Sequence, residues 1–165
     1  MTAPAARESI VKVAEWAADR GAAVLVTLGL GSCVAIMLHD PGAQAGAMAH
    51  VLLPSRSLAR DTSNPAKFPE TAVPFLIERL CALGADPRHL VAKLAGGASM
   101  FAQLMTPGSL QMGERNIAAA RNALRAAGIP LAGEAVGGGS GRSVRFHVAD
   151  GRVEIRSVGC DASII

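Results

Sequence analysis

The sequence is poor in aromatic residues and has neither a long apolar run nor a closely spaced cysteine pair. One Trp, four Phe and no Tyr in 165 residues predict a core of small aliphatic side chains. No apolar run reaches the ~20 residues that cross a bilayer, and the N-terminus lacks the apolar segment of a signal peptide. We therefore expect a cytoplasmic, single-domain protein over residues 1–165, with short flexible termini and no membrane insertion.

The distribution of cysteine, histidine and charge narrows the function classes further. Cys33, Cys81 and Cys160 form no CxxC pair, so neither a disulfide framework nor a zinc ribbon is expected. The four histidines are too scattered to build a metal site. The net charge of +3 is spread without a basic run, and phosphate binding needs a concentrated patch. We expect neither a metal nor a nucleic-acid partner.

The hydrophobic pattern predicts an α+β fold with a mostly antiparallel or mixed sheet and two main helices. Apolar positions at helical spacing, each set followed by a glycine, predict helices over 68–83 and 114–127. Segments rich in β-branched and other apolar residues predict strands over 23–28, 33–39, 46–53, 90–95, 131–136, 143–149 and 152–158. Residues 9–17 fit a strand or a helix equally, and residues 55–66 are expected to form an exposed loop.

A predicted hairpin brings the first cysteine and a histidine together. Strands 33–39 and 46–53 flank DPGAQA, where Pro presets φ and Gly accepts the positive φ that follows. A turn centred on Pro41-Gly42 pairs Cys33 directly with His50, with Cβ atoms about 4.5–5.5 Å apart. A shift of one residue would move His50 to the opposite face of the sheet.

This pairing indicates nucleophilic catalysis. A thiol is a weak nucleophile until a neighbouring imidazole takes its proton, and a third group usually orients that imidazole. Thr27, at the end of the preceding strand, is the candidate third group. Gly31 and Ser32 belong to a predicted turn, GLGS at 29–32, in which backbone N–H groups could hold an oxyanion.

Each of these residues also has a purely structural interpretation. Free cysteine is among the most buried residue types, and a histidine inside AMAHVLL can be a hydrogen-bonded core residue. Spacing alone leaves both interpretations open. Cys81 is expected in the core on the apolar side of the first helix, and Cys160 in an exposed tail. Glu114–Asn116 is expected to be the polar first turn of the second helix.

Five motifs carry a resemblance to a known family. They are TLGLGSCVAI at 27–36, MAHVLLP at 48–54, KLAGGASMF at 93–101, GERNI at 113–117 and GGSGR at 138–142. In this order they closely resemble the chemoreceptor glutamine deamidase family, CheD, from about residue 9 to residue 157. The first two motifs are highly specific, and the glycine motifs support them.

The resemblance implies a fold, an activity and partners. The implied fold is an α/β sandwich resembling the catalytic domain of the cytotoxic necrotizing factors. The implied activity is that of a protein-glutamine glutaminase, which hydrolyses glutamine side-chain amides on methyl-accepting chemotaxis receptors to glutamate and ammonia. No metal or organic cofactor is implied. Many members also bind a chemotaxis phosphatase of the CheC type, which can hold the deamidase inactive.

The resemblance also implies residue roles. Through the first two motifs, Cys33 is the nucleophile, His50 the general base and acid, and Thr27 the group that orients His50. The glycine motifs supply candidates for a loop that contacts substrate, namely Gly96, Gly97, Gly138 and Arg142. The chain departs from the family pattern at Phe68, where many members carry Tyr, and at Gly139-Ser140.

Two other functions remain open from the sequence. The same site could cleave a γ-glutamyl methyl ester, because ester and amide acyl transfer share an intermediate. The chain could also be a regulatory binding module for a CheC-type phosphatase. Release of ammonia rather than methanol would separate the two reactions.

Overall fold

The structure is a computed structural model that describes residues 5–101, 104 and 111–165. The N-terminal end, expected to be flexible, falls on residues 1–4 and so lies outside the described residues. No helix within the described ranges is both long and apolar enough to span a membrane.

Within the described residues, ten strands and two α-helices follow one another along the chain. The strands are β1 (Arg7–Ile10), β2 (Trp16–Arg20), β3 (Ala23–Leu30), β4 (Val34–Asp40), β5 (Ala45–Val51), β6 (Val91–Gly96), β7 (Leu131–Val136), β8 (Arg142–His147), β9 (Val153–Ser157) and β10 (Ser163–Ile164). The helices are α1 (Pro69–Ala82) and α2 (Met112–Ala126). Short 3-10 turns occur at Arg56–Leu58, Pro65–Lys67 and Pro87–His89. The predicted helices and strands are confirmed, with ends that differ by one or two residues.

The strands form two mixed sheets of five strands each. The first sheet has the order β1-β3-β8-β9-β10, and the second has the order β2-β5-β4-β6-β7. The β1–β3 and β6–β7 pairs are parallel, and the other pairs are antiparallel. The predicted α+β class, with a mostly antiparallel or mixed sheet and two main helices, is therefore confirmed.

The second sheet is the middle layer of the molecule. One of its faces packs on α1 and α2 through side chains that include Ile36, Leu76 and Leu124. Its other face packs on the first sheet through side chains that include Met37 and Phe146. Every residue of β4 and β5 is consequently buried, which explains why their sequences are continuously apolar rather than alternating.

The register of the β4–β5 hairpin differs from the prediction by two residues. His50 pairs with Ala35, not with Cys33, because the connecting turn has four residues, Pro41–Gln44. Asp40 fixes this longer turn, since its Oδ1 accepts hydrogen bonds from the N–H groups of Gly42 (2.9 Å) and Ala43 (3.2 Å). A two-residue shift keeps each side chain on its original face of the sheet.

Three further expectations need correction. Cys81 is exposed rather than in the core, because it follows buried Leu80 and lies about 100° further round the helix. Strand β3 continues to Leu30, which leaves Gly31 and Ser32 as the turn before Cys33. The C-terminal end is held as strand β10 against β9, while the exposure of Cys160 is as predicted.

The undecided segment 9–17 contains the end of one strand and the start of another. Strand β1 ends at Ile10 and pairs in parallel with β3, whereas β2 begins at Trp16 and pairs with β5 in the other sheet. The chain passes from the first sheet to the second at residues 11–15, next to the C-terminal end of β5, where His50 lies. This crossing places backbone carbonyls close to His50.

Candidate active site

Cys33 and His50 lie on the same face of the second sheet, toward the first sheet. Ala35 and Met48 belong to the inter-sheet core, and alternation along β4 and β5 gives Cys33 and His50 the same direction. Cys33 packs against that inter-sheet core from just before β4. As diagonal rather than direct neighbours across the pair, the two residues are separated by roughly 7–8 Å between Cα atoms.

Thr27 holds the imidazole of His50 through a hydrogen bond whose direction can be assigned. The Thr27 hydroxyl donates to the Val11 carbonyl at 2.6 Å, and its oxygen lies 2.7 Å from His50 Nδ1. A hydroxyl has one hydrogen, so it must accept from an N–H at Nδ1. This tautomer leaves Nε2 with a free lone pair. Nε2 is buried and has no hydrogen-bond partner among the described residues.

The crossing segment between β1 and β2 fixes the backbone on which His50 stands. Ala14 N–H donates to the His50 carbonyl at 2.8 Å, and His50 N–H donates to the Glu15 carbonyl at 3.0 Å. Ala14 takes a φ of 62°, an uncommon conformation for a residue with a Cβ. Asn64 stabilises this conformation of Ala14, because its Nδ2 donates to the Ala14 carbonyl at 2.8 Å. The segment therefore acts as a rigid support for the imidazole.

Burial changes the acidity of both reactive groups. Burial raises the pKa of the Cys33 thiol, and the backbone N–H of Cys33 itself offsets part of that rise. Burial lowers the pKa of His50, with partial offsets from the Val11 carbonyl and the Glu15 carboxylate. Both shifts favour a neutral thiol beside a neutral imidazole in the resting protein. Such an imidazole can act as a base toward the thiol.

The backbone around Cys33 is anchored by the KLAGGASMF motif. Gly97 N–H donates to the Cys33 carbonyl at 2.8 Å, and Ala98 N–H donates to the Gly31 carbonyl at 2.8 Å. A Cβ on Gly96 would lie 2.3 Å from the Cys33 carbonyl oxygen, so only glycine fits there. Gly96 and Gly97 are buried and support the backbone of Cys33, while their contact with substrate stays a prediction.

Asn116 is a site residue that the sequence analysis missed. Expected in a polar helical turn, it is fully buried, and its Nδ2 donates to the carbonyls of Ser32 (2.8 Å) and Leu52 (3.2 Å). Its Oδ1 is buried without a partner among the described residues. Helical spacing could have found it, because Asn116 lies four residues before Ala120 on the apolar face of α2.

The loop after β7 forms the outer border of the site. Gly138 is exposed, and its carbonyl accepts a hydrogen bond from Ser99 N–H at 2.8 Å. The half-buried guanidinium of Arg142 donates to the carbonyls of Ala135 and Gly137, which fixes the loop from inside. The loop lines a groove of about 400 Å³ together with Gly29 and Met100.

Exposed apolar side chains occur next to the Cys33 turn, at Met100 and Phe101, and on strand β3, at Leu28. Leu28, Met100 and Phe101 are each more than half exposed, at 59%, 53% and 68%. Met100 Sδ lies 3.3 Å from the point that a Cβ on Gly31 would occupy, which places the side chain at the turn itself. Met100 and Phe101 line one pocket with Ser32, and exposed apolar groups that lie together in this way mark surfaces that bind other proteins. We call Leu28, Met100 and Phe101 the apolar rim.

The chemistry available at this site comes from side chains and backbone groups. No group of three His, Cys, Asp or Glu side chains suited to a metal occurs in residues 5–101, 104 and 111–165. A thiol and an oriented imidazole with a free nitrogen share one face, as in enzymes that use cysteine for acyl transfer. The protein is thus a two-sheet α+β fold in which a cysteine and a histidine share one face of the second sheet.

Comparison with known proteins identifies the family. The family model described as "CheD chemotactic sensory transduction" matches residues 52–157. A relative from Thermotoga maritima, named "Chemoreceptor glutamine deamidase CheD", is 41% identical over 152 residues, covering 92% of this chain and 93% of its own. Another, from Geobacter metallireducens and named "Probable chemoreceptor glutamine deamidase CheD 2", is 47% identical over 136 residues, 82% and 84% of the two chains. The chain belongs to the CheD family.

Two solved structures also align with this fold. They are a Bacillus licheniformis hypothetical protein, YfiH, and a Neisseria meningitidis protein of the DUF152 family. The first is 14% identical with a TM-score of 0.46, covering 73% of this chain and 49% of its own. The second is 15% identical with a TM-score of 0.46, covering 81% and 63%.

Proposed function

We propose that this chain hydrolyses side-chain amides of glutamines on bacterial chemoreceptors, leaving glutamate and releasing ammonia. Membership of a family whose relatives carry that name supports the reaction and its substrate. The observation that carries the proposal is the Thr27–His50 hydrogen bond, which leaves a buried, unprotonated Nε2 on the face that Cys33 shares. In this proposal Cys33 is the nucleophile, His50 the base and Thr27 the residue that orients it.

The first half-reaction forms a thioester. His50 Nε2 takes the proton of the Cys33 thiol as the sulfur attacks the glutamine Cδ, and the carbonyl electrons move onto the oxygen. Backbone N–H groups of the Gly31–Cys33 turn hold the resulting oxyanion. When the carbonyl re-forms, the C–N bond breaks, and His50 returns its proton to the departing nitrogen, which leaves as ammonia.

The second half-reaction regenerates the thiol. His50 takes a proton from a water molecule as that water attacks the thioester carbon, and a second oxyanion forms in the same position. Collapse of this intermediate breaks the C–S bond, and the sulfur recovers its proton from His50. Nucleophile, base and oxyanion donors all come from this chain, so the proposed reaction uses no metal or organic cofactor.

The apolar rim supports a folded protein as the substrate. Met100 is exposed beside the Cys33 turn and lines a groove together with residues 139–142, and Leu28 is exposed on strand β3. We expect Leu28→Ser and Met100→Ser to raise the KM for a receptor while leaving alkylation of Cys33 by iodoacetamide unchanged. A CheC-type phosphatase, if it docks on the same rim, will inhibit deamidation competitively with the receptor.

The decisive experiment follows glutamate formation on a receptor. The purified chain is incubated with the cytoplasmic part of a methyl-accepting receptor, and peptide mass spectrometry measures conversion of amide to acid while ammonia is quantified. Cys33→Ala is expected to abolish conversion. Cys81→Ala is the matched control, because Cys81 is an exposed thiol on α1, and it should retain full activity.

Three outcomes separate the proposal from its alternatives. Amide conversion retained in Cys33→Ala would refute the assignment of the nucleophile. Methanol release from a methylated receptor, with glutamine left intact, would make the chain a methylesterase. Phosphatase binding by the wild type, with neither ammonia nor methanol released, would make it a regulatory module.

A further inference from the structure

The peptide that joins Ser32 to Cys33 is held by a single side chain from a distant helix. Asn116 Nδ2 donates to the Ser32 carbonyl at 2.8 Å, across 84 positions of sequence. The carbonyls before and after that of Ser32 are held by backbone groups instead. Ala98 N–H donates to the Gly31 carbonyl, and Gly97 N–H donates to the Cys33 carbonyl. The orientation of the middle peptide therefore depends on one replaceable group.

The hydrogen bond that orients the Ser32 carbonyl also sets the direction of the Cys33 N–H, because both groups belong to one planar peptide. In a trans peptide the C=O and the N–H point in opposite directions. Because the Ser32 carbonyl points toward buried Asn116, the Cys33 N–H points away from Asn116. The same N–H partly offsets the rise that burial causes in the pKa of the Cys33 thiol. This N–H donates to no other backbone or side-chain acceptor among the described residues.

The second bond of Asn116 links this turn to the strand that carries the base. Nδ2 also donates to the Leu52 carbonyl at 3.2 Å, two residues beyond His50. The two acceptors identify the nitrogen side of the amide, since only an NH2 group can donate to both carbonyls. One buried amide thereby connects the nucleophile turn and the histidine strand, and its Oδ1 is left without a partner among the described residues.

We propose that Asn116 is a positioning residue for catalysis, which keeps the Cys33 N–H turned toward the oxygen of the reacting amide. Without it, the Ser32–Cys33 peptide can rotate and present a carbonyl where the oxyanion forms. That carbonyl would repel the developing negative charge instead of stabilising it. This inference rests on the proposed deamidation and deepens it, because it assigns the group that orients the oxyanion donor.

The test separates oxyanion stabilisation from thiol reactivity. Asn116→Leu keeps a similar volume but removes the donor, and deamidation of a receptor is measured together with alkylation of Cys33 by iodoacetamide across pH. Alkylation needs the thiolate but builds no oxyanion. We expect kcat to fall about 10²-fold, as for loss of an oxyanion donor, with KM unchanged and with an unchanged rate of alkylation at high pH, where the thiol is ionised in both proteins.

A matched control and a second variant keep the test sharp. Asn122→Leu makes the same chemical change at an exposed position of α2 and should leave every parameter unchanged. If Asn116→Leu does not fold, Asn116→Ala removes the Nδ2 donor with a smaller side chain. A receptor peptide with an aldehyde in place of the amide gives a further readout. Its hemithioacetal carries an oxyanion, so its inhibition constant should rise together with the loss of kcat.

The outcomes distinguish failure of this inference from failure of the proposed function. A wild-type chain that converts no amide refutes the proposed deamidation itself. An active wild type with unchanged kcat in the folded Asn116 variants overturns the role of Asn116. Equal losses of deamidation and alkylation also overturn it, because they would mean that Asn116 acts only through general packing.

Discussion

Two buried histidines lie between the sheets, at opposite ends of the β4–β5 hairpin. His39 Nε2 bonds to the Val148 carbonyl at 2.8 Å, and its ring packs edge-on against Phe146 with centroids 6.0 Å apart. His50 bonds through Nδ1 to a hydroxyl and leaves Nε2 without a partner among the described residues. Burial lowers the pKa of both. Burial and pKa alone therefore do not distinguish a structural histidine from one available for catalysis.

The difference lies in how each ring is bonded. A backbone carbonyl can only accept, so it fixes a proton on Nε2 of His39. The Thr27 hydroxyl both donates and accepts, and its own proton is committed to Val11, so it fixes the proton of His50 on Nδ1. At the His39 end the hydrogen bond to Val148 satisfies a buried polar group and stabilises the core. At the His50 end the hydrogen bond to Thr27 leaves a free lone pair on Nε2, in a side chain that shares its face of the sheet with Cys33.

The largest expected effect comes from exchanging each histidine for glutamine. His50→Gln removes the proposed base, and kcat/KM for receptor deamidation should fall by about 10²–10⁴-fold with little loss of stability. His39→Gln should leave kcat/KM unchanged and lower the free energy of unfolding by about 1–2 kcal/mol. Activity assays and urea titrations of both variants check this, and equal losses of activity would remove the distinction.

A smaller effect is expected at the residue that orients His50. Thr27→Val keeps the shape but loses the acceptor for Nδ1–H, so kcat should fall about 10–10²-fold as the tautomer is released. Thr27→Ser keeps the hydroxyl and should stay near the wild-type rate. Thr71→Val is the control, because among the described residues the Thr71 hydroxyl donates to the carbonyls of Pro65 and Phe68 and not to a histidine. Full activity in Thr27→Val would contradict the orienting role.

At the other end of the hairpin, a glycine contact should affect stability alone. A Cβ on Gly151 would lie 2.6 Å from His39 Nδ1, at a φ of +79°. Gly151→Ala should cost about 2–3 kcal/mol of unfolding free energy from strain and displacement of the ring, without changing kcat. Gly21→Ala has a similar φ of +64° but meets nothing within 4 Å, so it measures the strain alone. Equal losses of unfolding free energy in the two variants would mean that the His39 ring moves aside without measurable cost.

The smallest effect is a pH dependence of stability. Because folding lowers the pKa of both histidines below 6.5, protons bind the unfolded chain more readily. The contribution of both histidines to the free energy of unfolding should therefore be largest above about pH 6.5. It should decrease as the pH falls from about 6.5 toward the lower pKa values of the folded protein. His39→Gln and His50→Gln should each flatten this slope in chemical denaturation between pH 7 and 5. A slope unchanged in both variants would show that other groups cause it.

Much of the site could be predicted from local sequence, and the hairpin shows where the prediction failed. The apolar runs and Pro41-Gly42 predicted both strands, but Asp-Pro-Gly is compatible with turns of different length. The side chain of Asp40 decides between them, by accepting from two turn N–H groups and from Asp86 N–H. Burial would raise the pKa of Asp40, but these donors hold it below its usual range. Such long-range pairing is not visible in the local pattern.

Two helical positions were assigned wrongly from the sequence. Asn116 was assigned to a polar first turn, although its spacing from Ala120 places it on the buried face. Cys81 was assigned to the core because it lies on the apolar side of α1, yet it is exposed next to buried Leu80. Helical periodicity was therefore the better guide at Asn116 but not at Cys81. The Val11 carbonyl and the partner of the Ser32 carbonyl depend on tertiary contacts, which no local pattern contains.

The complete burial of β4 and β5 has a consequence for folding. Both strands have a hydrogen-bonded neighbour on each side and a packed layer above and below, so their amide protons should exchange with solvent only through global unfolding. Cys33 directly precedes one of these strands, and His50 lies within the other. Loss of the catalytic arrangement therefore coincides with loss of the whole cooperative unit. If the proposed function holds, we expect deamidase activity and the protection of the β4 and β5 amide protons to be lost together on unfolding.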